Sequence, residues 1–184
     1  MYAVAVILLT VVLPVASAMI EAVWIPGTEP MALAARWFVF WGVGVRLFLA
    51  GAGQVLRPQF TSEGILGIKD PGARAIVREL GFGNLAMGTL GLTSLIAPGW
   101  ILPAAVAGGV FYGLAGLGHV ARKEKGAREW TALITDLLMF TVLAAIVLSR
   151  LSWRAIGEDG SLCEARARTQ GDAHGEARLQ DRQA

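Results

Sequence analysis

Cysteine is almost missing from these 184 residues: the one present, Cys163, lies in the polar C-terminal stretch. A single chain therefore cannot form an internal disulfide, a CxxC redox pair or a cysteine-rich zinc site. Histidine is equally scarce. His119 and His174 fall on opposite sides of the end of the apolar region, so one chain cannot clasp a haem between two transmembrane histidines. Charge is short as well. Only 16% of residues are Asp, Glu, Lys or Arg and 55% are hydrophobic, whereas an ordinary soluble domain has about 25% charged and about 45–50% apolar residues. Ten of the charged residues sit in 155–184, which leaves the first 154 residues more apolar still. Such a chain partitions into lipid, and the bilayer is its first expected partner.

Catalytic signatures are absent too. The sequence has no HExxH, no Walker sequence and no two-histidine metal pair, and Gly81-x-Gly83 lacks the strand that precedes a dinucleotide-binding turn. No catalytic residue, metal site or cofactor is indicated. The net charge of +2 hides a split, with twelve basic and eight acidic residues in 1–154 against four and six in 155–184. That asymmetry is a topology signal and not a nucleic-acid surface.

What the chain does have is apolar length. About 20 residues of helix cross a hydrocarbon core about 30 Å thick, and five segments come close. The first runs from Tyr2 to Trp24, interrupted by Pro14 and ended by Ile25-Pro26-Gly27. The second runs from Leu33 to Leu56 and is closed by Arg57-Pro58. The third lies within a longer helix that Asp70 caps and Pro71 starts, its apolar part reaching from Leu80 to Ala97. The fourth spans Ile101–Ala121 and the fifth Trp130–Ser149. The expected fold is an all-α integral membrane bundle: a four-helix core over 33–150 plus one N-terminal transmembrane helix over 1–25, five spans in total. Ala16-Ser17-Ala18 resembles a signal-peptide cleavage site, but the segment lacks a basic start and stays apolar to Trp24, which favours an uncleaved signal anchor. Residues 155–184, which from Gly157 onward have Leu162 and Leu179 as their only large aliphatic residues, read as a disordered polar tail.

Segments 57–79 and 122–129 lie on one side of this topology and carry eight Lys and Arg, whereas Arg36, Arg150 and Arg154 flank the other side. Basic loops stay inside, so the chain reads as a multi-pass protein of a bacterial inner membrane, N-terminus cytoplasmic and tail outside. The connection Arg57–Asp70 is long enough to be either an interfacial connector or a lid over a cytoplasm-facing opening.

Nineteen of the 23 glycines fall in the membrane body. In lipid, small residues let helix backbones approach closely. Gly81, Asn84, Gly88 and Gly91 share one helical face, as do Ala105, Gly109, Gly113 and Gly116, and the second span offers Gly42, Ala50 and Gly53 around Arg46. These faces predict a tight bundle with the first helix at its edge.

Ionisable groups inside a span are costly, by about 2.5–3.5 kcal/mol on insertion scales. Arg46 lies near the middle of the second span. Asp136 lies six residues into the fifth, roughly 9 Å deep at about 1.5 Å per residue. An ion pair between them is the simplest way to tolerate both. Glu79 and Asn84 on the third span, and Tyr112 and His119 on the fourth, converge on the same leaflet. The expected polar cluster is therefore Arg46, Asp136, Glu79, Asn84, His119 and Tyr112. Two readings stand. In one the cluster is structural glue that fixes helix register. In the other it binds an anionic headgroup, a quinone or a proton, with Arg46 holding the negative charge and Asp136, Glu79 or His119 titrating.

The stretch from Val45-Arg46-Leu47-Phe48 to Leu56-Arg57-Pro58 resembles the first core helix of DoxX-like membrane proteins. Arg78-Glu79-Leu80-Gly81-Phe82-Gly83-Asn84, with Phe111-Tyr112-Gly113 and Gly118-His119, more closely resembles an uncharacterised family of small bacterial membrane proteins. The resemblance covers about residues 35–148. It implies a four-helix membrane core and, for some DoxX-like members, participation in sulfur or quinone redox chemistry. Arg46 carries over from the DoxX-like pattern, and Glu79, Asn84 and His119 from the uncharacterised one. The resulting expectation is an accessory or ligand-binding bundle that takes a lipid or quinone, alone, as a homo-oligomer or beside a partner membrane protein. The alternative is a proton-linked transporter or a quinone-associated oxidoreductase subunit.

Overall fold

A computed structural model describes residues 2–123 and 125–152. The expected tail at 155–184 lies outside the described residues. Among the described residues there is no strand. The elements are α1 (Tyr2–Trp24), α2 (Pro30–Leu56), the short α3 (Pro58–Ser62), α4 (Pro71–Thr93), α5 (Ile101–Ala121) and α6 (Ala127–Ser152). Residues 1–147 form one compact unit. The described residues 148–152, with the exposed Leu148 and Leu151, fall in a second.

Among the described residues four helices are long and apolar enough to cross a membrane: α1, α2, α5 with the tight turn Pro98–Trp100 that leads into it, and α6. The 23-residue α4 is of similar length. It carries Arg74, Arg78, Glu79, Asn84 and a series of glycines, which leaves the third expected span without the hydropathy of the other four. It also ends at Thr93 and does not run on to Ala97. There the Ser94 hydroxyl donates to Gly91 O at 2.6 Å and Ile96 N–H bonds three residues back to Thr93 O, which tightens the chain into a turn.

Helix starts follow side-chain chemistry. The Asp70 carboxylate accepts Gly72 N–H at 2.6 Å, and that of Glu29 accepts Met31 and Ala32 N–H at 2.8 and 2.7 Å. A proline follows each cap, at the first helical position, where a missing N–H costs nothing. After α1 the chain turns through Gly27 at φ 89°, a conformation that needs glycine.

Two helices contain widened, i→i+5 turns. In α1 the turn is Leu8–Val12, where Leu13 N–H reaches Leu8 O. Pro14 follows, with no N–H to offer Thr10 O and a ring that crowds it, so widening is the local remedy. In α2 the widened turn is Val39–Val45, with Arg46 N–H reaching Trp41 O and Val43 O.

That second turn changes which small residues face which neighbour. The helical phase before Val39 does not continue past Arg46, so Gly42, Ala50 and Gly53 do not form one packing face. Gly42 lies under Met139, whereas Gly44 and Gly51 are the sites of closest approach to α4. Ala50 and Gly53 are open. On α4, Gly81, Asn84, Gly88 and Gly91 form a single buried stripe. On α5, Gly109 meets Leu143 and Gly113 meets the Phe140 ring, both on α6. The core consists of Val39, Val43, Leu47, Tyr112, Met139, Leu143 and their neighbours. α1 sits at the edge, with Val6, Thr10 and Pro14 buried.

A Cβ on Gly91 would overlap Gly44 N, a backbone atom that cannot turn aside, whereas a Cβ on Gly83 meets nothing within 4 Å. Gly91→Ala is expected to lower stability by about 1–3 kcal/mol, the usual range for overpacking. Gly83→Ala is neutral or stabilising. Thermal unfolding of both variants in the same detergent checks the contrast.

Candidate functional site

Arg46 leaves the end of the widened turn of α2 and is about nine-tenths buried. Its Nη2 donates to Asp136 Oδ1 on α6 at 2.6 Å and to the Thr135 hydroxyl at 3.1 Å. The Thr135 hydroxyl in turn donates to Thr131 O at 2.8 Å. The guanidinium lies 4.7 Å from the centre of the Tyr112 ring, within cation–π range. Tyr112 is fully buried and donates its own hydroxyl to Gly42 O at 2.5 Å. One arginine thus ties α2 to α5 and α6, and the tyrosine returns the link to the turn from which that arginine projects.

His119, near the end of α5, connects Asp136 with a second buried acid. Its Nδ1 is 3.2 Å from Glu129 Oε1, and its Nε2 is 3.9 Å from Asp136 Oδ2. Glu129 is only 2% exposed, and Arg122 Nε also meets it, at 3.3 Å. The order Arg122, Glu129, His119, Asp136, Arg46 therefore runs from a partly exposed cation to the middle of the bundle.

Beside this chain of charges lies a cavity of about 380 Å³, the scale of a small-molecule site. Leu9, Leu47, Leu80 and Phe111 give it apolar walls, and Arg46, Gln54, Asn84, His119 and Asp136 supply polar groups. Asn84 Nδ2 donates to Gln54 Oε1 at 2.7 Å across α4 and α2. Two polar atoms on the lining side chains, Arg46 Nη1 and Asn84 Oδ1, are buried without a hydrogen-bond partner. Each such group costs about 1–3 kcal/mol.

The 57–70 connection closes one end of the cavity with Phe60, Thr61, Ile65 and Leu66. Arginines from elsewhere hold it in place. Arg122 donates to Leu66 O at 2.5 Å, Arg128 to Gly64 O at 3.3 Å, and Arg74 pairs with Glu63 at 2.8 Å. Arg128 also stacks 5.3 Å from Phe60, whose ring lies 6.1 Å from that of Tyr2. At the other end of α1, Glu21 accepts from Arg36 at 2.7 Å and from the Trp37 indole at 2.6 Å, which clamps α1 to α2.

Five of the six residues expected to cluster, Arg46, Asp136, Asn84, His119 and Tyr112, do come together around or against this cavity. Glu79 does not. It lies on the exposed side of α4, turned away from the buried Gly81 and Asn84 stripe by its register, and takes no part in the lining. Gln54, Thr135, Glu129 and Arg122 were not anticipated as members. Glu129 shares a helical face with Asp136 at i, i+7, which was the available signal for it. Gln54 has no comparable signal, because it looks like an interfacial residue at the end of a span.

A family model described as a family of unknown function (DUF6790) matches residues 2–157. No curated protein and no solved structure matches the chain.

Removing one partner of a buried ion pair leaves the other charge unpaired, at a cost of about 3–5 kcal/mol, whereas replacing both with apolar residues is often neutral. Arg46→Met and Asp136→Leu are each expected to destabilise the bundle by about that much, and the double variant to recover most of the loss. A double-mutant thermal-unfolding cycle in detergent checks the sign and size of this coupling.

Proposed function

The chain belongs to that family of unknown function, and on this premise we propose that it is a small bacterial inner-membrane bundle that binds a lipid-like small molecule in the cavity beside Arg46. The observation that carries this reading is the combination of apolar walls with buried polar atoms lacking partners on two lining residues. If the polar cluster were glue alone, its hydrogen bonds would close on themselves. Those of Tyr112 and Thr135 close within the bundle, while Arg46 Nη1 and Asn84 Oδ1, on two residues that line the cavity, find no partner within it. Ligand sites in helix bundles form in this way, from side chains on facing helices.

The same reading gives the chain five spans, with α4 crossing lipid in the company of α2. Its polar and glycine-rich face is turned inward against that helix, which offsets its lower hydropathy. The segments 57–79 and 122–129 then face the cytoplasm, supported by their eight Lys and Arg, and residues 155–184 lie outside.

Gly53 lines the cavity, and a Cβ there meets nothing within 4 Å. Gly53→Leu should therefore fill the space without disturbing the bundle. Mass spectrometry of small molecules co-purified in mild detergent is expected to find a stoichiometric lipid-like compound with the natural chain and to lose it with Gly53→Leu, at equal helicity and elution volume. Equal recovery from both, or from neither, contradicts the reading. For topology, a membrane-impermeant maleimide added to spheroplasts should label Cys163, the chain's one cysteine. Labelling only after lysis contradicts an external tail.

One arrangement favours a second reading, proton-linked transport. His119 stands between two buried carboxylates, one beside the cavity and one beside the partly exposed Arg122. Under this reading His119→Gln abolishes ligand-driven proton uptake in proteoliposomes while ligand binding persists.

A further inference from the structure

We infer that the cavity takes a single-chain amphiphile with an oxyanion head, and that Arg128 holds this head at the Phe60 end. The inference rests on the cavity being a binding site and goes on to name the chemistry of its ligand.

Charge around the cavity is unevenly neutralised. Among the groups that line it, Arg46 donates to Asp136 at 2.6 Å, and His119 lies beside Asp136 and Glu129. An anion placed against Arg46 would also meet Asp136, so Arg46 is not the cation that holds it. Three arginines hold the 57–70 segment that closes the other end. Arg74 has Glu63 at 2.8 Å and Arg122 has Glu129 at 3.3 Å. Arg128 differs: among the described residues no carboxylate lies within ion-pair range of it. It is exposed, its guanidinium lies 5.3 Å from the centre of the Phe60 ring, and one N–H reaches Gly64 O at 3.3 Å. Arg57 and Lys69, at the two ends of the same segment, are exposed and have no carboxylate partner among the described residues either. Even with Asp70 counted against them and His119 neutral, the surplus charge is positive, and it sits at the Phe60 end.

The donors at that end suit an oxyanion. A guanidinium carries five N–H groups in a fork that matches carboxylate and phosphate oxygens, and Arg128 gives one of them to Gly64 O. Tyr2 lines the cavity beside it, with its ring 6.1 Å from that of Phe60 and its hydroxyl within electrostatic reach of Arg128. That hydroxyl has no hydrogen-bond partner among the described residues, and it supplies a second donor. Further in, Val6, Leu9, Leu47 and Phe111 give the chain apolar walls. Arg46 with Asp136, and Asn84 with Gln54, are paired across helices, so a chain that passes them displaces no partner. A volume of about 380 Å³ is at the lower end for small-molecule sites and suits one chain better than two. Arg128 is the second residue of α6, so on the proposed topology the head stays at the cytoplasmic interface and only the chain enters the bundle.

The full chain in phosphatidylcholine nanodiscs is titrated with two amphiphiles that share a ten-carbon acyl chain, 1-decanoylglycerol 3-phosphate and 1-monodecanoylglycerol. Inorganic phosphate is the head without the chain. Binding is read by native mass spectrometry, with amphiphile affinities expressed per mole fraction in the bilayer. The phosphate ester is expected to bind about tenfold more tightly than the neutral ester, the size of effect of one charge-assisted contact, and to resist displacement by inorganic phosphate. Arg128→Gln is expected to abolish this advantage, Arg128→Lys to retain most of it, and Gly53→Leu to weaken both amphiphiles. Equal binding of the two by the natural chain, or an advantage that survives Arg128→Gln, overturns the anionic-head inference and leaves the cavity reading intact. Displacement by inorganic phosphate at the same concentration assigns Arg128 to a free anion and overturns the amphiphile. Failure of both amphiphiles to bind, or binding of both unchanged in Gly53→Leu, overturns the cavity reading itself. If Arg128→Gln does not fold, the comparison on the natural chain still decides.

Discussion

A guanidinium and a carboxylate 2.6 Å apart in the middle of an apolar bundle impose conditions on everything around them. Neither charge is tolerable alone in that setting, and the pair is tolerable only if α2 and α6 are held at one depth and one rotation. The surrounding structure meets these conditions in steps. The widened turn Val39–Val45 presents Arg46 in the right direction, and Tyr112 fixes that turn by its bond to Gly42 O while its ring covers the guanidinium. Thr135 takes a further N–H of Arg46. On the far face of α2, Gly44 and Gly51 bring α4 to backbone contact, so the helix bearing the arginine is fixed from both sides.

This rigidity has a boundary, and the cavity begins there. Where α2 packs on α4, small residues leave no room. A little further along α2, Ala50 and Gly53 face open space instead. The same helix therefore serves as a packing surface on one side and a binding wall on the other, with Arg46 at the junction. The 57–70 connection, held by Arg74, Arg122 and Arg128, closes one end of that space. The basic residues that read as a topology signal in the sequence thus also have a local structural task.

Much of this was legible in the residues because the lipid environment removes alternatives. The start of α4 followed from Asp70 and Pro71 and the end of α2 from Arg57-Pro58, and the stripe Gly81, Asn84, Gly88, Gly91 from simple periodicity, whereas the end of α4 at Thr93 did not. Depth alone brought Arg46 and Asp136 together. What was not legible depends on departures from regular geometry. A one-dimensional pattern assumes a constant helical phase, so the widened turn in α2 misplaced Ala50 and Gly53, and with them the cavity. Glu79 is close in sequence to Asn84 yet lies on another face of α4, and depth without register put it in the cluster. Gln54 became part of the site only because Asn84 on a different helix reaches it.

The arrangement of the bundle requires the Arg46–Asp136 ion pair to persist in lipid. Solid-state NMR of the full chain in bilayers, with ¹⁵N in the arginine side chains and ¹³C in the aspartate carboxyl groups, measures the dipolar coupling between Arg46 Nη and Asp136 Cγ. A strong coupling is expected, corresponding to direct hydrogen bonding, that Asp136→Asn abolishes or markedly weakens. An Arg46 signal with no coupling to Asp136, in a chain that is otherwise folded, would contradict it.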